Sequence, residues 1–381
     1  MMRVKLAAGA VVFVALWSVV ALGAEPLLRL GPQELVQAGG AAITVPGYSV
    51  PTVADWNSDG LPDLIVGQGG AVSPGAKVRV YLNVGTRAAP AFEGFFYVQS
   101  DGAELVVTGS GCLGAYPRVV DWDGDGKKDL LIGQADGRVK IFRNIGTDAA
   151  PTFDGGTLLT VGESGTLLSV GSRATPMLVD WDNDAAIDLV AGGMDGYIHV
   201  YRNSAALPPS FATVTAAGGA IVKEGGANLY VPSGRSSPVI MDLNGDGVKD
   251  ILTGNTNGEL LFYANVGTDA SPAFNGYVAI TAGGVKIDLP GTPRSRPEVC
   301  DWTGDGYWDV LIGADGGQVR LYQSVAVAGD VDKDFDVDFG DVAAMGALWL
   351  AEGEAAAWAD LDGDGDVDGV DFAILAFFWR Q

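Results

Sequence analysis

The chain has 381 residues, a formal net charge of −24 at pH 7, one histidine and two cysteines. That charge argues against nucleic acid as a partner, because phosphate binding needs basic patches. Apolar content of 48% is too high for a disordered acidic chain, and a lone histidine, His199, removes most hydrolytic triads, zinc sites and imidazole acid–base schemes.

The first segment reads as a leader. Arg3 and Lys5 precede an almost wholly apolar run from Leu6 to Leu22, and Gly23 and Ala24 offer small residues for cleavage. Residues 1–24 are therefore expected to be a secretory signal peptide. No other segment is apolar and long enough to span a bilayer, so a secreted or cell-surface protein with no membrane span after cleavage is expected. The remainder is too long for one ordinary core and calls for two domains or a repeat array. Cys112 and Cys300 make no disulfide framework; one bridge is possible, and two buried thiols are the expectation.

An acidic motif then recurs five times. It runs Asp55, Asn57, Asp59, Gly60, Asp63, and again Asp121, Asp123, Asp125, Gly126, Asp129. The third copy is Asp180, Asp182, Asp184, Ala185, Asp188, the fourth Asp242, Asn244, Asp246, Gly247, Asp250, and the fifth Asp301, Thr303, Asp305, Gly306, Asp309. The first aspartates lie 66, 59, 62 and 59 residues apart, the spacing of stacked supersecondary units. Each motif is followed by a short apolar run (LIVG, LLIG, LVAG, ILTG, VLIG) and a second run such as VKIFRN, with pairs such as Asp136-Gly137 and Asp195-Gly196 between them. Such pairs suit tight hairpins. Three units continue as NxGTxxxPxF from Asn83, Asn144 and Asn265.

Four short strands in about sixty residues, with Gly and Pro turns and no helix, describe a propeller blade. The fifth unit stops near Ser324, and Leu27 to Val50 precede the first motif. The expected fold is all-β, a five-bladed propeller over residues 25–325 closed by N-terminal strands.

The crowding of aspartate makes sense around a hard cation. Ca²⁺ takes six to eight oxygens, and positions 1, 3, 5 and 9 supply carboxylates while glycine at 6 allows the reversal. Mg²⁺ suits such a flexible cage less well. Ala185 and Thr303 depart from the pattern, so loops three and five are expected to bind more weakly.

The five units resemble FG-GAP/VCBS repeats, the blades of integrin-α-like propellers. The resemblance implies structural calcium and a binding or scaffold role; it names no ligand.

After Ser324 the pattern changes. Asp330, Asp332, Asp334, Asp336, Asp338 and Asp341 precede VAAMGALWL, and Asp360, Asp362, Asp364, Asp366, Asp368 and Asp371 precede FAILAFFW. Twelve-residue acidic loops followed by apolar helix-like runs are EF-hand-type sites. The duplication, with Asp at position 12, resembles a type I dockerin, which implies a small α-helical calcium module over 326–381 and a cohesin-like partner. Phe335 stands where the first loop should have glycine. Val342, Met345, Leu348 and Trp349 can form one helix face, and Phe372, Leu375 and Trp379 another.

The expected function is a secreted calcium-binding recognition or scaffold protein. Its propeller takes a carbohydrate or protein ligand, and its last module anchors it to an extracellular assembly or cell surface. Tyr307 and Trp308 are the ligand candidates, since the other units place small, charged or aliphatic residues there. Catalysis is not expected, because most placeable carboxylates belong to the loops and Glu93, Glu104, Glu163, Glu224 and Glu298 follow no motif. A polysaccharide lyase or hydrolase and a purely structural adhesion or matrix protein are the alternatives.

Overall fold

A computed structural model describes residues 25–69, 75–107, 114–203, 207–291, 293–349, 359–362 and 366–379. The leader expected over 1–24, Cys112 and Asp364 lie outside the described residues.

Five four-stranded antiparallel sheets form the body. The inner strand of each carries a proline at its second residue: Val50–Ala54, Tyr116–Val120, Thr175–Val179, Ser237–Met241 and Arg296–Cys300. The second strand opens on position 9 of the acidic motif and is buried along its whole length in every blade, as Asp129–Gly133 illustrates. In the fifth blade the outermost strand is Glu34–Leu35, which pairs antiparallel with Val319–Tyr322. The N-terminal closure read from the sequence is thus observed, and it removes the free edge that an open ring would leave.

The glycine ending each second strand has a steric cause. A Cβ on Gly67 would lie 2.2 Å from the Ala115 carbonyl oxygen of the next blade. The same approach recurs from Gly133 to Ala174 O, Gly192 to Ser236 O, Gly254 to Ser295 O and, across the closure, Gly313 to Ser49 O, all at 2.0–2.4 Å. Any side chain there would push neighbouring blades apart.

The core is five interblade clusters. Trp56 packs with Ile65, Leu130, Phe142 and Phe153 between blades one and two, and Trp122, Trp181, Leu243 and Trp302 hold the equivalent place in the other four. The position-2 residues are therefore packing groups. His199 is also structural: one ring nitrogen sits 2.7 Å from Gly218 O and the other 3.1 Å from Asp195 Oδ2.

A helical module follows, with helices Phe339–Ala347 and Gly369–Phe378. Its small core is Val331, Met345, Ala359, Val367 and Leu375. Trp349 and Phe372, placed on the helix faces by the sequence, are exposed, with Phe339, Phe377 and Trp379. A ten-residue helix this apolar cannot turn all its large side chains toward so small a core.

Candidate functional site

The five acidic loops share one hydrogen-bond scheme. In loop one, Asp55 Oδ1 accepts from Asp59 N at 3.0 Å and Oδ2 from Gly60 N at 2.9 Å. In loop two, Asp121 accepts from Gly124 N and Gly126 N at 2.8 and 3.1 Å. Asp180, Asp242 and Asp301 do the same for their loops. Position 5 then accepts from the backbone two residues on, as Asp125 Oδ1 does from Lys127 N at 2.9 Å, and Asp59, Asp184, Asp246 and Asp305 do likewise. These are Asx turns, which hold the carboxylates toward one centre.

Two left-handed residues per loop make the reversal. Position 6 has φ of 79° at Gly126 and 86° at Gly306, and Ala185 adopts 69° at the same place. A residue with a Cβ pays about 1–2 kcal/mol for that conformation. Position 4 is left-handed as well, at Ser58, Gly124, Asn183, Gly245 and Gly304.

Position 9 has a second task. Asp129 Oδ2 accepts from Trp122 N at 3.0 Å and Oδ1 from Asn144 N at 2.7 Å. Asp63, Asp188, Asp250 and Asp309 make the same pair of bonds to their own position-2 residue and to Asn83, Asn203, Asn265 and Ser324. The carboxylate therefore joins the loop to the end of the third strand. Burial pushes Asp188, Asp250 and Asp309 up to about 6, ahead of the lowering effect of their two donors. The asparagine starts its own clip: Asn144 Oδ1 accepts from Gly146 N and Thr152 N at 2.9 and 3.2 Å, closing the NxGT loop.

The NxGT loop of one blade also reaches the acidic loop of the blade before it. Asp148 accepts from Ser58 Oγ at 2.6 Å and from Lys128 N at 3.0 Å. Asp269 accepts from Asn183 Nδ2 and Lys249 N, both at 2.7 Å. Across the closure Arg87 donates to Asp301 O at 2.9 Å.

Asp121, Asp123 and Asp129 bring ligand oxygens within 4.8 Å of one another, as do Asp180, Asp182 and Asp184. In both loops the position-3 residue holds a buried oxygen, Asp123 Oδ1 or Asp182 Oδ1, with no hydrogen-bond donor among the described residues. A buried carboxylate oxygen left without a donor is costly, and an all-oxygen donor set of this kind fits a hard divalent cation.

The C-terminal module repeats the scheme in its first loop, where Asp330 accepts from Asp334 N at 3.1 Å and from Phe335 N at 2.9 Å. Asp330, Asp332 and Asp334 cluster, as do Asp336, Asp338 and Asp341, and Asp360, Asp362 and Asp371. Position 12 caps its helix: Asp371 Oδ1 accepts from Leu361 N at 2.6 Å and Oδ2 from Asp368 N at 2.7 Å, while Asp368 Oδ1 accepts from Val370 N at 2.7 Å. Asp341 and Asp338 make the same capping box on the first helix. Aspartate suits position 12 here because its short side chain reaches both backbone donors.

Of the two ligand candidates, Tyr307 requires correction. It is 2% exposed, and Trp308 is 37% exposed. The Tyr307 ring is covered by Phe335 of the C-terminal module, with centroids 4.9 Å apart, and by Lys333 at 4.4 Å. Its hydroxyl donates to Asp330 Oδ2 at 2.9 Å. Phe335 keeps the turn that glycine would make, at φ 71°.

Residues 180–253 match the FG-GAP-like repeat, and residues 328–376 match the dockerin type I domain. No curated protein sequence matches the chain. Among solved structures, a GH62 hydrolase in complex with xylotriose is similar at 12% identity and a TM-score of 0.49, over 79% of this chain and 98% of that one. A GH43_1 enzyme from Xanthomonas citri is similar at 10% identity and 0.42, over 76% and 90%. BBS1N, in complex with ARL6DN, is similar at 13% identity and 0.38, over 80% and 99%.

Proposed function

We propose that this chain, a five-bladed FG-GAP-type propeller joined to a type I dockerin domain, is a secreted, calcium-dependent recognition protein without catalytic activity. The propeller, residues 25–325, binds a carbohydrate or an extracellular protein. The dockerin domain, residues 326–381, anchors the propeller to an extracellular assembly or cell surface. The observation that carries this reading is the pairing of the two modules in one chain, each with the same oxygen-lined loops.

Calcium occupies the five blade loops and the two dockerin loops in this reading. Once bound it neutralises carboxylates that otherwise repel, and it ties the loop to both strands through position 9. Trp308, exposed beside the fifth loop, remains the proposed ligand contact. The exposed aromatic face of Phe339, Phe372, Phe377 and Trp379 is the proposed docking surface for a cohesin-like partner, with Phe339 and Trp379 already edge to face at 4.6 Å. A non-catalytic role is supported by the glutamates outside the loops. Glu104 and Glu298 are ion-paired with Lys77 and Arg118, and Glu224 accepts from Gly276 N at 2.6 Å.

Retention of the full chain on immobilised polysaccharides, with calcium and with chelator, tests the reading. Calcium-dependent retention on one glycan class, lost in Trp308→Ala, supports it. No retention by a folded, calcium-loaded protein moves the reading to protein adhesion, and turnover of a polysaccharide would replace it with an enzyme.

A further inference from the structure

The acidic loops lie at one end of the inner strands. The other end carries a cluster of arginines. Each inner strand holds a proline at its second residue: Pro51, Pro117, Pro176, Pro238 and Pro297. Three residues before it stand Tyr48, Gly114, Arg173, Arg235 and Arg294. Three consecutive blades thus place an arginine at one equivalent position around the axis. A fourth, Arg296, occupies the first inner-strand position of blade five.

The four arginines line a single cavity together with Tyr116 and the serines Ser236, Ser237 and Ser295. Three of them face one ring: the guanidinium carbons of Arg173, Arg294 and Arg296 lie 5.6, 4.7 and 4.4 Å from the Tyr48 centroid. Arg296 is held from behind, donating to Arg294 O at 3.0 Å and to Tyr116 Oη at 3.4 Å. Arg173 and Arg296 are buried.

Two features argue that packing alone does not explain the cluster. Arg173, Arg235 and Arg294 have φ of 59°, 63° and 59°. Each is a non-glycine residue in the left-handed region, a strain that persists where surroundings or function demand it. The cations also crowd one another in a protein of net charge −24. Burial and the neighbouring Arg296 push the Arg294 guanidinium down, and Asp315 is the carboxylate that offsets this. Convergent guanidiniums with hydroxyls between them are the donor set that planar or tetrahedral oxyanions need.

We propose that this mouth of the propeller axis is an oxyanion-binding site, taking a single carboxylate or sulfate group against Arg173, Arg235, Arg294 and Arg296. The inference deepens the recognition role proposed above by assigning a charge to one of its ligands. It is separable from that role, because polysaccharide retention that survives loss of the site would remove this proposal alone.

The test uses the full, calcium-loaded chain at constant ionic strength, titrated calorimetrically with sodium sulfate, sodium glucuronate and, as a neutral control, glucose. Saturable binding of one sulfate or one glucuronate per chain is expected, with none for glucose. Sulfate alone would assign a sulfate ester or a free anion, and tighter glucuronate would assign a uronic acid. Arg235→Gln and Arg294→Gln, at partly exposed positions, are each expected to weaken binding about 10- to 100-fold, the loss of one charged hydrogen bond. Thermal unfolding checks that both variants fold. Absence of saturable binding for either anion, or binding unchanged in both folded variants, would overturn the proposal.

Discussion

The Tyr307 hydroxyl donates to Asp330 Oδ2 at 2.9 Å, joining the fifth propeller loop to the first acidic loop of the dockerin domain. Two residues that break their own repeat patterns meet there. Tyr307 stands where other blades carry Leu61, Lys127, Ala186 or Val248, and Phe335 where the second dockerin loop has Gly365. Each is anomalous within its module and explained by the other.

Separating the stack from the loop tests this contact. Phe335→Gly removes the ring and places glycine at a left-handed position, so it should release the dockerin domain while leaving its first loop intact or improved. Proteolytic cleavage within residues 325–329 should accelerate, and small-angle scattering should show a longer particle. Unchanged cleavage and shape would refute the docking role. Tyr307→Phe keeps the stack and should weaken docking by about 1–3 kcal/mol, a hydrogen bond to a charged group.

Position 9 and position 5 should fail differently. Asp129 accepts from two backbone donors whether or not calcium is present, so Asp129→Asn should destabilise the propeller by about 1–3 kcal/mol even in chelator, as one donor then faces an amide nitrogen. Asp125 is exposed and accepts locally, so Asp125→Ala should matter only when calcium is supplied. It should also cost more calcium affinity than Asp305→Ala, because loop five already carries Thr303. Denaturant melts with and without calcium decide this, and equal losses would contradict the ranking.

The buried position-9 carboxylates give the calcium-free protein a sign for its pH dependence. Asp188, Asp250 and Asp309 are raised to about 6 from an ordinary value near 3.8. The folded state therefore binds protons more tightly than the unfolded chain. Their contribution is fully present below about pH 4 and is lost as pH rises through about 6. In chelator these groups should make the protein more stable at pH 5 than at pH 7.5. Calcium, by holding the ionised form, should remove or reverse that slope. Unfolding midpoints across this range, in both conditions, provide the check.

Within the ring, Glu298 joins three blades. It is ion-paired with Arg118, and its other oxygen accepts from Thr52 Oγ1 at 2.8 Å. Side-chain exposures of 17% and 13% make this a largely desolvated pair. Glu298→Ala should cost about 3–5 kcal/mol by leaving the Arg118 charge uncompensated. Adding Arg118→Met should recover much of the loss. A double variant no better than the single one would show that the pair acts otherwise.

Much of the fold could be read from the residues. The repeat spacing gave the blades, the turn dipeptides the hairpins, and the truncated fifth unit the closure by Glu34–Leu35. The terminal glycines marked strand ends, though their cause, contact with the next blade at Gly133 and its equivalents, needs the ring itself. Tyr307 was misread because its partner lies in a different module, and a loop-tip aromatic looks the same whether it faces solvent or a neighbour. The double bonding of Asp129 was invisible for another reason: a cation cage and a backbone staple both ask for aspartate. The arginine cluster was missed because Arg173, Arg235 and Arg294 are some sixty residues apart and converge only around the axis.

In the function proposed, calcium holds this protein in its recognising form. The most direct measurement is calcium binding by the full chain, counted by calorimetry and paired with unfolding midpoints in calcium and in chelator. Several calcium ions per chain, with a midpoint that falls on chelation and returns on readdition, are expected; an excess of one hundred times Kd at a single site already stabilises by about 2.7 kcal/mol. A chain that binds no calcium, and unfolds at the same midpoint in both conditions, would overturn that role for calcium.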